Sequence, residues 1–394
     1  MVGGWPDGAH PVRWIASLRD VTPRAAIIAG AVLALVPLAP STVARAAPVG
    51  CQAGAVSATS GLSVPADAPP LPTRLAARSW LVADLDSGDV IGSCGAHERG
   101  APASVQKLLL AAALMPRLDP AAVVTVTAAD MNFEPGSSAV GLLVGGRYRV
   151  ETLWLGLLLN SGNDAANVLA RVGGGTVAAA LQAMNDEARR LGALDTHAVT
   201  PSGLDGPGQV TSAFDLALIA RVCFNRPDFV RYMATRTALI PPQPPRDKKG
   251  FQIQNDNAFL TEYPGAVGAK SGFTDVARHT FVAVARRDGR RLVATVLGAE
   301  IRTMPTWRQA ASLLDWGFAV PRESAADHLV TPQEVAAAVS PSAAAVGLPT
   351  AGAAAGETDD RWPWFVAGAV LLAVPALVLV LAAIRRRPVA TERH

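Results

Sequence analysis

Ala103-Ser104-Val105-Gln106-Lys107-Leu108-Leu109-Leu110-Ala111-Ala112-Ala113-Leu114-Met115 is the stretch from which the rest of the chain becomes readable. Pro102 precedes it and suits a helix start, so the pattern predicts an apolar helix over Ala103–Met115. Lys107 follows Ser104 by three residues, which places both side chains on one helical face. A neutral lysine amine there can take the proton of a serine hydroxyl and create a nucleophile. The helix N-terminus favours developing negative charge, and its free N–H groups suit an oxyanion hole. Ser-x-x-Lys alone is a weak signal, because one chance match in a chain of this length is unremarkable.

Lysine usage sharpens it. The chain has four lysines, Lys107, Lys248, Lys249 and Lys270, among 35 Lys plus Arg. Arginine stays protonated in proteins, whereas lysine shifts its pKa readily and can act as a base. A chain that prefers arginine elsewhere retains lysine where its chemistry matters. Lys248-Lys249, in a Pro-rich loop, fit a plain surface reading.

Outward from the helix, Ser79 to Val90 reads as a β-hairpin about the turn Asp86-Ser87-Gly88. Helical patterns follow at Thr152–Leu159, Asp164–Val172, Val177–Leu191 (ended by Gly192) and Phe214–Phe224. The period then changes. Lys270–Thr274, His279–Arg286 and Arg291–Leu297 read as strands, and Thr306–Trp316 as a closing helix. This order predicts a mainly antiparallel sheet with helices packed on it and a helical insertion, an α+β fold.

Two further motifs stand in this frame. Ser161-Gly162-Asn163 joins two helices, where Ser161 and Asn163 can face one cleft; taken alone, it fits an ordinary helix start equally well. Lys270-Ser271-Gly272 opens a strand, where a cation and a hydroxyl suit a substrate carboxylate; taken alone, it fits a strand entry with a bulge.

Composition limits the remaining classes. Half the residues are apolar and the net charge is +3, which excludes a disordered chain. Three cysteines exclude a disulfide mini-scaffold. Cys51 and Cys94 can pair, or Cys94 can lie alone in a buried strand, and Cys223 reads as core. Basic runs interleaved with aromatics are missing from the domain, so no nucleic-acid partner is expected. Without H-E-x-x-H or a Cys/His cluster, no metal and no cofactor are expected. Without G-x-S-x-G, an α/β-hydrolase triad is disfavoured.

The two ends read as processing and membrane segments. Residues 1–46 have a basic start, a short apolar run and the site Ala44-Arg45-Ala46, as in a signal peptide; an uncleaved anchor is the alternative. Residues 47–77 form an N-terminal linker, 78–320 the catalytic domain and 321–361 an Ala/Pro-rich stalk. Trp362–Ile384 carries no charge over 23 residues and suits a membrane span. Arg385-Arg386-Arg387 then places the tail, 385–394, in the cytoplasm and the domain outside the cell.

Together, Ser104-x-x-Lys107, Ser161-Gly162-Asn163 and Lys270-Ser271-Gly272 resemble the Ser-x-x-Lys, Ser-x-Asn and Lys-Thr-Gly motifs of penicillin-binding proteins and serine β-lactamases. Over about 78–320 the chain is similar to the low-molecular-mass D-alanyl-D-alanine carboxypeptidases, peptidase family S11. Thr200-Pro201-Ser202-Gly203-Leu204-Asp205 and Asp315-Trp316-Gly317-Phe318 strengthen that resemblance. Gly162 favours this family over class A β-lactamases, which usually carry Asp there.

The resemblance implies a β-lactamase/transpeptidase-like fold and a serine peptidase acting on peptidoglycan stem peptides ending in D-Ala-D-Ala. It implies Ser104 as nucleophile, Lys107 as base and Ser161 as proton relay. It assigns Asn163, Lys270, Ser271, Gly272 and Phe273 to substrate binding, with backbone N–H groups of Ser104 and Phe273 as the oxyanion hole. β-Lactams would acylate Ser104. Two departures stand out: Ser271 replaces the usual Thr, and Thr306 falls near the usual place of a carboxylate-binding Arg, for which Arg278 or Arg302 can substitute. A DD-endopeptidase, a transpeptidase, a β-lactamase-like enzyme and a silent wall-binding protein are the competing readings.

Overall fold

The computed structural model describes Cys51 and residues 61–339. In chain order the strands are β1 (Leu62–Ser63), β2 (Ser79–Asp84), β3 (Asp89–Cys94), β4 (Val123–Thr125) and β5 (Arg147–Arg149). They continue as β6 (Thr237–Ile240), β7 (Phe251–Gln254), β8 (Ala266–Thr274), β9 (Arg278–Arg287), β10 (Arg290–Ala299) and β11 (Asp327–His328). The helices are α1 (Lys107–Leu114), α2 (Val150–Leu159), α3 (Asn163–Gly174), α4 (Val177–Leu191) and α5 (Ala213–Phe224). They continue as α6 (Pro227–Ala234), α7 (Ala258–Glu262), α8 (Thr306–Ala319) and α9 (Pro332–Val339).

The main sheet is antiparallel, in the order β1-β3-β2-β10-β9-β8, with β11 also paired to β3. Its central strands are buried on both faces, which explains why they read as unbroken apolar runs. Alternation along each strand divides the core in two. Leu81, Ala83, Val282, Val284 and Val293 face the helical layer built on α1 to α5. Trp80, Val82, Ala283, Ala285, Leu292 and Ala294 face α8, where Leu313, Leu314 and Trp316 cover them. Helix α1 is apolar on every side past Lys107, and all eight of its residues are buried; it is the central post of the helical layer.

The fold expected from the sequence is the one found, with longer strands and a wider boundary. Residues 61–77, expected in a linker, pack on the domain: β1 pairs with β3, Leu75 and Ala77 are buried, and Trp316 Nε1 donates to Pro69 O at 2.8 Å. Past residue 320, β11 adds to the sheet, Leu329 is fully buried and α9 follows. These segments are rich in Pro and Ala, which hid two short strand pairings with no periodicity of their own. Cys51 and Cys94 form a disulfide, with Cα atoms 5.9 Å apart, so the paired reading holds. The expected signal peptide, the stalk beyond residue 339, the apolar span at 362–384 and the tail lie outside the described residues. Among the described residues, no helix is long and apolar enough to cross a membrane.

Candidate active site

Ser104 sits where the sheet meets the helical layer. The sequence predicts an α-helix from Ala103, but Ala103–Gln106 is a 3₁₀ turn, and α1 begins at Lys107. In a 3₁₀ turn residues i and i+3 eclipse, which brings Lys107 directly over Ser104. Ala103 enters the turn with φ +49°, a conformation that non-glycine residues seldom adopt, and surrounding packing must hold it.

Lys107 is fully buried. Its Nζ lies 2.8 Å from each of Ser104 Oγ, Asn163 Oδ1 and Ser202 O; as a neutral amine it can donate to the two carbonyl oxygens and accept from the Ser104 hydroxyl. Burial drives its pKa well below the ordinary lysine value; the charge of Lys270 pushes the same way, and Asp164 opposes both. Distance and lowered pKa together suit this amine to taking a proton from a neighbouring hydroxyl.

Asn163 begins α3, and its second face is fixed as well: Nδ2 donates to Ser137 Oγ at 2.9 Å. Asp164 does not act as a simple first-turn acid. Its buried carboxylate accepts N–H groups of Val140, Gly141 and Leu142 at 2.9, 2.9 and 3.0 Å, and so ties the 137–142 loop to α3. Gly162 leaves space for this arrangement, since a Cβ there would lie 2.4 Å from Val140 Cγ2. Ser161 has φ +56°, and its Oγ is buried without a hydrogen-bond partner. An unsatisfied buried hydroxyl at a cleft wall is a group held ready for a ligand or a proton.

Lys270, Ser271, Gly272 and Phe273 lie on β8, the edge strand of the main sheet. Burial lowers the pKa of Lys270 to about 7. Its Nζ donates to Ser271 O at 2.6 Å. The expected support of Ser161 by Lys270 is not a direct hydrogen bond, because Ser161 Oγ has no partner. A Cβ at Gly272 would lie 2.6 Å from Ser104 N and 2.5 Å from Thr280 Oγ1. Glycine therefore lets the edge strand approach the backbone of the nucleophile turn. Arg278 pairs with Glu300 at 2.9 Å, stands over the Phe273 ring, and does not line the cleft.

Ser104, Ser161, Asn163, Ser271, Gly272 and Phe273 line one cleft of about 390 Å³, together with Ser137, Leu204 and His279. Sequence reasoning missed Ser137 and the carbonyl of Ser202. Ser202 lay in a quoted stretch, yet a backbone acceptor leaves no trace in side-chain identity. Gly203 marks the place better. It has φ +92°, and a Cβ there would lie 1.9 Å from Ala103 O, so only glycine fits.

An antiparallel sheet covered by helices, with a serine–lysine pair at their junction, defines the class: the transpeptidase/β-lactamase fold of penicillin-binding DD-peptidases. Residues 65–301 match the family model of peptidase family S11, D-alanyl-D-alanine carboxypeptidase, and the chain belongs to that family. It is similar to the D-alanyl-D-alanine carboxypeptidase DacB2 of Mycobacterium tuberculosis, with 44% identity over 260 residues, 65% of this chain and 87% of that protein. DacD of Escherichia coli K12 is 33% identical over 259 residues, 63% of this chain and 64% of that protein. Among solved structures, a D-alanyl-D-alanine carboxypeptidase from Mycobacterium tuberculosis H37Rv superposes with a TM-score of 0.64 at 40% identity, covering 68% of this chain and 99% of that one. The Streptomyces K15 DD-transpeptidase superposes with a TM-score of 0.59 at 26% identity, covering 64% and 99%.

Proposed function

We propose that the chain is a serine-type D-Ala-D-Ala carboxypeptidase that removes the terminal D-Ala from peptidoglycan stem pentapeptides. One observation carries this reading: the buried Lys107 amine is held at 2.8 Å from both Ser104 Oγ and Asn163 Oδ1. Lys107 takes the Ser104 proton as Oγ attacks the carbonyl of the penultimate D-Ala. The C–N bond breaks, Ser161 passes a proton to the leaving amine, and D-Ala departs. Water then hydrolyses the Ser104 ester. Asn163 orients Lys107 and the substrate, Lys270 makes the cleft electropositive, and Ser271 takes the terminal carboxylate. Backbone N–H groups of Ser104 and Phe273 stabilise the oxyanion. A β-lactam follows the same first step, and its leaving group stays attached.

The proposal extends to location. The basic, apolar and small-residue order of 1–46 supports export, and the Cys51–Cys94 disulfide suits an oxidising compartment. The uncharged segment 362–384 followed by Arg385-Arg386-Arg387 supports a single span with a cytoplasmic tail. The test is incubation with a D-Ala-D-Ala pentapeptide and quantitation of free D-Ala. Stoichiometric release, lost in Ser104→Ala, is expected; a folded protein that leaves the pentapeptide intact contradicts the reading.

A further inference from the structure

Two of the chain's four lysines, Lys248 and Lys249, have no place in the catalytic cleft. They stand in the loop 241–250, which joins β6 to β7. Hydrogen bonds hold this loop to the neighbouring β4–β5 pair. Gln243 Oε1 accepts from Arg147 N and its Nε2 donates to Arg147 O, both at 2.8 Å, and Arg246 donates to Val144 O. One surface therefore carries Arg147, Arg149, Arg246, Lys248 and Lys249, all exposed. Among the described residues, no carboxylate pairs with any of these five cations. Asp247 is the acid of the loop, and its Oδ1 accepts the N–H groups of Lys249 and Gly250 at 3.0 and 2.9 Å.

Cations alone would fit a solvated face, but exposed apolar side chains stand beside these. Leu239, near the end of β6, is 63% exposed, and Phe251, at the start of β7, is 38% exposed. Ile240 faces Phe251 in the register, so Leu239 and Phe251 flank the loop on opposite faces of the hairpin. Apolar groups on both faces and cations at the tip suit edge-on entry into a lipid headgroup layer. A soluble polyanion would engage the cations and leave Leu239 and Phe251 in water. Four of the ten loop residues are prolines, which bring no N–H to be stripped of water at that depth.

Reach is sufficient too. Residues 340–361 separate α9 from the segment 362–384 proposed above as a membrane span. That length of chain extends to at most about 75 Å, whereas a domain of this size is about 50 Å across. Either flank of the domain can thus face the bilayer, and the tether raises the local concentration of the loop at its surface.

We propose that the β6–β7 hairpin docks the domain on an anionic phospholipid surface, with the five cations at the headgroup phosphates and Leu239 and Phe251 among the upper acyl carbons. Only the tether depends on the anchored reading above; the lipid contact belongs to the hairpin itself.

The test reconstitutes the full chain in vesicles of phosphatidylcholine, alone or in equal parts with phosphatidylglycerol. A polarity-sensitive fluorophore is attached at Gln252→Cys, opposite Leu239 in the register, and in a control protein at Leu194→Cys, an exposed site on another loop. Cys51 and Cys94 are bonded and Cys223 is buried, so the label goes to the introduced thiol. Emission at position 252 should shift to the blue with phosphatidylglycerol and not without it, position 194 should shift with neither, and about 0.5 M NaCl should abolish the effect. A cation near an anionic surface strengthens docking about fivefold, so Lys248→Gln/Lys249→Gln together should lower the ratio of docked to free domain about thirtyfold. Leu239→Asn should lower it several-fold. Equal emission at 252 in both vesicle types, or a shift unchanged by Lys248→Gln/Lys249→Gln, overturns the proposal. The same shift with soluble polyphosphate and no vesicles, indifferent to Leu239→Asn, overturns the lipid assignment in favour of a soluble polyanion. Protein recovered outside the vesicles overturns the span reading instead, and its emission at 252 on addition of phosphatidylglycerol vesicles still decides the docking.

Discussion

Lys107 Nζ lies 2.8 Å from Ser104 Oγ, with no solvent access to the amine. Burial and the charge of Lys270 both disfavour an ammonium there, which suits the amine to the base role proposed above. Replacement by a group that cannot lose a proton removes the base while keeping a cation. Lys107→Arg should therefore slow penicillin acylation by about a thousandfold, within the range general-base catalysis supplies. The second-order acylation rate of a variant whose folding is checked by circular dichroism measures it.

The two lysines set opposite limbs of a pH profile. Lys107 must be neutral, so acylation falls as pH drops through its lowered pKa. Lys270 is charged below about 7 and loses its attraction for a carboxylate as pH rises beyond that value. The acylation rate by penicillin should accordingly be bell-shaped, with its alkaline limb near neutrality and not near the ordinary lysine range. Lys270→Arg keeps its charge and should move that limb upward by more than two pH units. A flat profile from pH 6 to 9 in the unmodified protein would contradict the assignment.

Gly203 is fixed by contact and by backbone. Its φ is +92°, and a Cβ would meet Ala103 O at 1.9 Å. Gly203→Ala must displace the nucleophile turn or the 200–205 loop, at a cost on the order of 3 kcal/mol. Thermal denaturation should show a Tm lowered by several degrees, and the acylation rate should fall with it.

Away from the cleft, Asp215 reports burial in a different way. It is 1% exposed, accepts from Thr196 Oγ1 at 2.7 Å, and burial raises its pKa to about 6. Between about pH 4 and 6 the folded state binds a proton that the unfolded state has released, so stability falls as pH rises through that window. Asp215→Asn keeps the acceptor and removes the charge. It should stabilise the protein by up to about 3 kcal/mol above pH 6 and change little below pH 4. Urea unfolding at pH 4 and pH 7.5 tests the difference.

Much of this was legible in the sequence because side-chain chemistry carried it. The pairing of Ser104 with Lys107, the position of Asn163, and the edge-strand setting of Lys270-Ser271-Gly272 follow from residue types at fixed spacings. The β9–β10 hairpin was plain because Arg287-Asp288-Gly289-Arg290 separates two β-branched runs. What stayed hidden depends on backbone groups and register. The 3₁₀ turn at Ala103–Gln106, the Ser202 carbonyl at Lys107 and the Asp164 clamp on the 137–142 loop use interactions that many sequences could make. The short β1 and β11 additions to the sheet lack periodicity for the same reason, being two residues each.

The most direct test of the account is intact-mass analysis of the purified protein after exposure to penicillin, beside Ser104→Ala. The account predicts a mass increase of one penicillin per chain, localised to the peptide containing Ser104 and missing in the variant. Folded protein that gains no mass, or a variant that gains the same mass, would contradict it.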